Sequence, residues 1–171
     1  EWAYDAADRP TAETWYSASN TQLQQQTFGY DILDRLTSAT DPDGSYTLTY
    51  DALGQVTQVQ GPWSVTQDFE YDVAGNRTKA SDSTGGVVAS TYDARNRLSS
   101  RTLTGTGLSP VRAEWSYTKT GDVSTLSRFS DASGSTKVGS TSYSYDDARR
   151  LVGIDHKNGS GTSIDTFSYA Y

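Results

Sequence analysis

Six times along this chain an aspartate directly follows a tyrosine, and a seventh copy of the same pattern carries threonine instead. The copies begin at Tyr4-Asp5, Tyr30-Asp31, Tyr50-Asp51, Tyr71-Asp72, Tyr92-Asp93, Tyr117-Thr118 and Tyr145-Asp146. A carboxylate recurring at such regular places is either a ladder for cations or catalysis, or a set of turn caps. Chemistry does not need its residue in every repeat, whereas each turn needs a cap, and an Asp side chain accepts backbone N–H bonds two residues on. The capping reading is favoured. Arg35, Arg77 and Arg97, a few residues further on, are expected to bridge to the Asp of a neighbouring copy, a contact worth about 0 to 1 kcal/mol when exposed.

Other reactive patterns are thinner. Asp41, Asp43 and Ser45 imitate the opening of an EF-hand calcium loop, but Ala52 stands where the closing Glu belongs. Asp41-Pro42-Asp43-Gly44 therefore reads as a hairpin turn with Pro in its second position. His156 is the one histidine, so a Ser-His-Asp triad would have to use it. Placed just before Asn158-Gly159, it reads as a solvated loop residue. Gly105-Thr106-Gly107 lacks the third glycine and the helix of a phosphate loop. No catalytic residue, metal site or cofactor is expected.

The elements that hold these residues follow from alternation. An aromatic or Leu stands two positions before nearly every repeat tyrosine: Trp2, Phe28, Leu48, Phe69, Trp115 and Tyr143, with Ser90 as the exception. Residues two apart on a strand share a face, so each repeat places a pair of rings on one side of a sheet. Gly54, Gly75, Asn96 and Gly121 fill one slot after the tyrosine, where a reversing chain needs positive φ. A second set of turn signals, Asp41 to Gly44, Gly61-Pro62, Ser83 to Gly86, Asp131 to Gly134 and Asn158-Gly159, closes the other ends. These signals predict an all-β chain of repetitive antiparallel hairpins, two strands per repeat and about fourteen in all. Helix is expected nowhere beyond a single turn within Thr21 to Gln26, the stretch that contains Gln24-Gln25-Gln26. Self-similarity at this spacing implies units that support one another only through their neighbours. An eighth copy is expected to open at Phe167-Ser168-Tyr169.

The pattern Tyr-Asp-x-x-Gly-Arg-Leu, with an aromatic before it and Thr or Ser after it, resembles the YD repeats of the Rhs family. That family includes bacterial Rhs proteins, the C components of insecticidal toxin complexes, wall-associated proteins and teneurins. Residues 30–36, 50–56, 71–77 and 92–98 match best, and the resemblance extends over nearly the whole chain. It implies a curved or spiralling sheet that forms a shell, in several members around a C-terminal toxic polypeptide. It also implies an extracellular or cell-surface setting. Family cores that end in a self-cleaving protease element carry two Asp-Pro-x-Gly motifs, and here one is present, at Asp41. The chain is expected to be a single array over 1–171, a stretch of a longer one.

Composition narrows the partners. A formal charge of −7 argues against nucleic acid, which needs clustered Lys and Arg. No apolar run is long enough to cross a membrane as a helix. Without Cys there is no disulfide and no thiolate site. The mean hydropathy of −0.66 fits a sheet without a large closed core. Twelve tyrosines are expected to supply much of the buried area. Trp15, Tyr16, Trp63 and Phe129 have no place in the ladder. Packing against the next repeat is their first reading, and stacking on sugar rings is the second, with Trp63, Trp15 and Tyr16 as carbohydrate contacts. The expected function is a non-enzymatic structural segment whose partners are neighbouring repeats. A glycan-binding adhesive module is the alternative, and end-to-end stacking of copies is a further expectation, because open edges template pairing.

Overall fold

The computed structural model describes residues 1–171, which form two compact units, Glu1–Glu70 with Asp82–Thr84, and Tyr71–Ser81 with Gly85–Tyr171. In the first unit the strands are β1 (Trp2–Tyr4), β2 (Pro10–Tyr16), β3 (Gln22–Tyr30), β4 (Leu36–Asp41), β5 (Gly44–Tyr50), β6 (Val56–Gln60) and β7 (Thr66–Tyr71). Within it β1 to β7 pair antiparallel in chain order. The second unit holds β8 (Arg77–Asp82), β9 (Gly86–Tyr92), β10 (Leu98–Gly105), β11 (Val111–Tyr117), β12 (Val123–Phe129), β13 (Lys137–Tyr145), β14 (Leu151–Asn158) and β15 (Ser163–Ser168). Here too every strand pairs antiparallel with its successor. Fifteen strands thus stand where about fourteen were expected, and Gln24 to Gln26 lie inside β3 rather than in a helical turn. The one helical turn is Pro62–Ser64.

Each Tyr-Asp turn is built the same way. Asp5 N–H bonds to the Arg9 carbonyl at 3.0 Å and Asp8 N–H to the Asp5 carbonyl at 3.1 Å, and the corresponding pair recurs after Tyr30, Tyr50, Tyr71, Tyr92, Tyr117 and Tyr145. This closure requires a left-handed residue four places after the tyrosine. Asp8, Asp34, Gly54, Gly75, Asn96, Gly121 and Arg149 all have φ between 59° and 98°. Glycine adopts that conformation freely, and Asn and Asp tolerate it better than other residues do.

A β-bulge accompanies the turn. The pairing register slips beside Tyr4, Tyr30, Tyr50, Tyr92, Tyr117 and Tyr145. Tyr30 faces Leu36 while Gly29 faces Ser38, so Thr37 is left over. Thr57, Ser99 and Ser124 are left over in the same way. In these copies the Thr or Ser that follows the turn's Leu or Val is the extra residue of the bulge, and beside Tyr145 it is Val152; the bulge bends the strand and leaves one position unpaired.

Little apolar surface is fully enclosed. Phe129, at 9% exposure, is the one buried large apolar side chain, and the other buried side chains are Thr14, Ser90, Ser100, Ser140 and Thr141. Burial in a closed core therefore contributes little, and cohesion rests on ladder hydrogen bonds and on side chains that reach from one hairpin to the next.

Candidate functional site

The tyrosines make that reach. Tyr30 donates its hydroxyl to the carbonyl of Pro10 at 2.9 Å, Tyr50 to Leu36 at 2.6 Å, Tyr92 to Arg77 at 3.0 Å, Tyr117 to Leu98 at 2.8 Å and Tyr145 to Val123 at 2.9 Å. Every acceptor is the first residue of the returning strand of the preceding hairpin. The ring thus lies against the previous turn while its hydroxyl satisfies a carbonyl there.

The turn's arginine completes the stitch. The guanidinium carbons of Arg9, Arg35, Arg97 and Arg150 lie 4.9, 4.5, 4.1 and 4.7 Å from the ring centroids of Tyr30, Tyr50, Tyr117 and Tyr171. One Arg97 nitrogen is buried with no hydrogen-bond acceptor, which is the arrangement of an N–H turned to a π-face. The turn's own aspartate holds each arginine in place. Arg9 bonds Asp5 at 2.6 Å, Arg35 bonds Asp31 at 2.7 Å, Arg97 bonds Asp93 at 2.6 Å and Arg150 bonds Asp146 at 2.7 Å. The expected bridge to a neighbouring copy is therefore corrected for Arg35 and Arg97. The five-residue loop brings positions i and i+4 face to face, so the local partner wins.

Two bridges do cross between hairpins. Arg9 also reaches Asp34 at 2.6 Å, and Arg149 reaches Asp122 at 2.6 Å. The second arises because the sixth copy is inverted, with Thr118 in the aspartate slot and Asp122 in the arginine slot. Arg77 begins β8, and Asn76 takes its slot, donating to Asp72 at 3.0 Å and to Asn96 at 3.0 Å.

The aspartates do cap their turns. Asp5 Oδ1 accepts N–H bonds from Ala7 and Arg9 at 2.9 and 3.1 Å. Asp31, Asp51, Asp72 and Asp93 do the same for residues two and four on. These donors stabilise the ionised form. Asp93 is lowered to about 2, chiefly by the Arg97 side chain, while Asp5 and Asp72 are lowered chiefly by Arg9 and Asn76.

The eighth copy is shifted by two residues. Tyr171, not Tyr169, donates to the Leu151 carbonyl, at 3.1 Å, and carries Arg150 on its ring. The aromatic pair of that copy is therefore Tyr169 with Tyr171. Phe167-Ser168-Tyr169 repeats the Phe-x-Tyr pattern of earlier copies without taking their place in the stitch.

His156 is also corrected. It lies within β14, half-buried, with Nδ1 2.9 Å from Thr141 Oγ1 and its ring edge-on to Phe167 at 5.9 Å. Asp41 Oδ1 caps the N–H groups of Asp43 and Gly44 at 2.9 and 3.0 Å, as a hairpin turn requires. Trp63 stands 84% exposed at the β6–β7 turn with φ of 59°, beside a concavity of about 290 Å³ that Tyr46 and Val65 also line. Trp15 and Tyr16 end β2, about half exposed, with the Trp15 indole N–H on Glu13 at 2.8 Å. In chain order strands β3 to β6 lie between them and Trp63, so the three do not form one pocket. Phe129 is packed, as its first reading had it.

The RHS repeat model matches residues 30–62 and 50–88, the third and neighbouring copies of the stitched turn. Among solved structures, the TcdB2-TccC3-Cdc42 crystal structure aligns with 92% of this chain at a TM-score of 0.68 and 14% identity. The Photorhabdus luminescens Tc holotoxin pore aligns with 92% at 0.70 and 14% identity. This chain spans about a tenth of the length of those chains, 10% and 9%. At such identity the likeness is one of fold. No curated protein matches the chain in sequence. Recurring turn, stitch and matched repeat model agree: residues 30–88 are RHS repeats, and the same stitched turn recurs through the rest of the chain.

Proposed function

We propose that this chain is a non-catalytic stretch of wall in a YD-repeat shell or surface scaffold of the extracellular space. The observation that carries this reading is the stitch, in which a repeat tyrosine bonds the hairpin before it and, in four copies, the turn's aspartate holds an arginine over the next tyrosine ring. Such side chains propagate a sheet and leave no polar group of the turn poised for chemistry. Similarity in fold to chains of TcdB2-TccC3 complexes supports a shell over an isolated sheet. Electron cryo-microscopy of the protein from its native source tests it. The repeats should form part of a wall that surrounds a chamber, and a sheet with bulk solvent on both faces would overturn the reading.

A second reading rests on Trp63, whose exposed ring beside Tyr46 offers a flat apolar face to a sugar. Trp15 and Tyr16 are further stacking contacts in that reading. A glycan array with Trp63→Ala as control decides it, because no binding to any glycan removes it. End-to-end association through the exposed edges of β1 and β15 is read out by light scattering at rising concentration. A strict monomer would remove that proposal.

A further inference from the structure

Arg101 and Arg128, on the two strands that flank β11, have no carboxylate partner. Arg101 on β10 donates Nε to Ser90 Oγ at 3.2 Å, and Arg128 on β12 donates to Thr141 Oγ1 at 3.0 Å. Both acceptors are neutral and nearly or fully buried, Ser90 at 7% and Thr141 at 0% exposure. Each guanidinium is thus held by one nitrogen while its charge stays uncompensated, in a chain of net charge −7.

Register puts the two in one row. Arg101 faces Ala113 and Ala113 faces Arg128, so all three share a face of the sheet, with the small alanine between. Two strand spacings set the arginine backbones about 10 Å apart. The rows on either side are apolar: Leu103 opposite Val111, and Trp115 opposite Leu126. Together they line a concavity of about 480 Å³, a size suited to a small ligand.

We propose that this cradle binds a free amphiphilic carboxylate, with its head over Ala113 between the two guanidiniums and its apolar body along Trp115 and Leu126. The head is placed by charge-assisted hydrogen bonds from donors already anchored on Ser90 and Thr141. Binding also relieves the repulsion between two like charges on one face. A neutral or cationic amphiphile of equal chain length gains the apolar contact alone.

Isothermal titration calorimetry of the full chain with dodecanoate below its micelle concentration tests this, with dodecyltrimethylammonium as the same tail under the opposite charge. Dodecanoate should bind one to one, and the cation at least tenfold more weakly. Arg101→Gln with Arg128→Gln should weaken dodecanoate at least tenfold with an unchanged circular dichroism spectrum, Ala113→Leu should block it, and Lys119→Gln should leave it unaltered. Equal affinity for the two heads, no effect of the paired arginine variants, or binding confined to anionic vesicles would overturn the proposal.

Discussion

Arg97 lies close over the Tyr117 ring, and a double-mutant cycle on the pair measures what joins one hairpin to the next. The guanidinium carbon lies 4.1 Å from the ring centroid, and the Arg97 side chain is 26% exposed. Cation–π contacts run from about 0.5–1 kcal/mol when exposed to about 2 kcal/mol when desolvated, so a coupling near 1 kcal/mol is expected. Tyr117→Phe keeps the ring and removes only the bond to the Leu98 carbonyl, at a cost of about 1 kcal/mol. Tyr117→Leu with Arg97→Gln supplies the cycle. Arrays of this kind can open repeat by repeat. Amide hydrogen exchange in β10 and β11 is therefore the assay, and 1.4 kcal/mol corresponds there to about a tenfold rise in opening. If the two substitutions add to within about 0.3 kcal/mol, the contact does no coupling and the reasoning fails.

The aspartate caps make stability acid-sensitive in a defined window. Asp93 is depressed to about 2 in the folded chain and sits near 3.9 when unfolded, so its contribution is complete above about pH 4 and disappears as pH falls towards 2. Asp93→Asn should flatten the stability profile between pH 4 and 2 in thermal melts, and an unchanged slope would count against the cap. Gly54 has φ of 83° with only the Arg35 guanidinium near its open side. Gly54→Val should then cost about 1–2 kcal/mol through backbone strain alone, measured by urea denaturation, whereas a neutral result would mean the turn re-forms differently. Thr141 accepts from Arg128 and adjoins His156 while fully buried. Thr141→Val leaves both without that partner and should cost about 1–3 kcal/mol. Calorimetric melting checks this, and a gain in stability would refute it.

What the sequence disclosed was local. The aspartate cap and the left-handed slot follow from residues at most four apart, and both are legible in Asp51 with Gly54 and in Asp93 with Asn96. Arg35 and Arg97 misled because a bridge to the next copy and a bridge within the turn use the same residue types. Only the loop's closure, which sets i against i+4, decides between them. The two-residue shift of the last copy, from Tyr169 to Tyr171, depends on the β14–β15 register, which a Phe-x-Tyr pattern does not specify. His156 was read from its neighbour Asn158-Gly159, but β14 extends through Asn158 and carries it into a half-buried strand. The Arg101–Ala113–Arg128 row was invisible for the same reason, since its members lie 12 and 15 residues apart and meet only through pairing.

The central claim is that repeat tyrosines bond the hairpin before them, and proton NMR of the tyrosine hydroxyls tests it most directly. Tyr30, Tyr50, Tyr92, Tyr117 and Tyr145 should show hydroxyl protons that exchange slowly with water, while Tyr4 and Tyr46, whose hydroxyls make no such bond, should not. Hydroxyl protons that exchange equally fast at all seven positions would contradict the account.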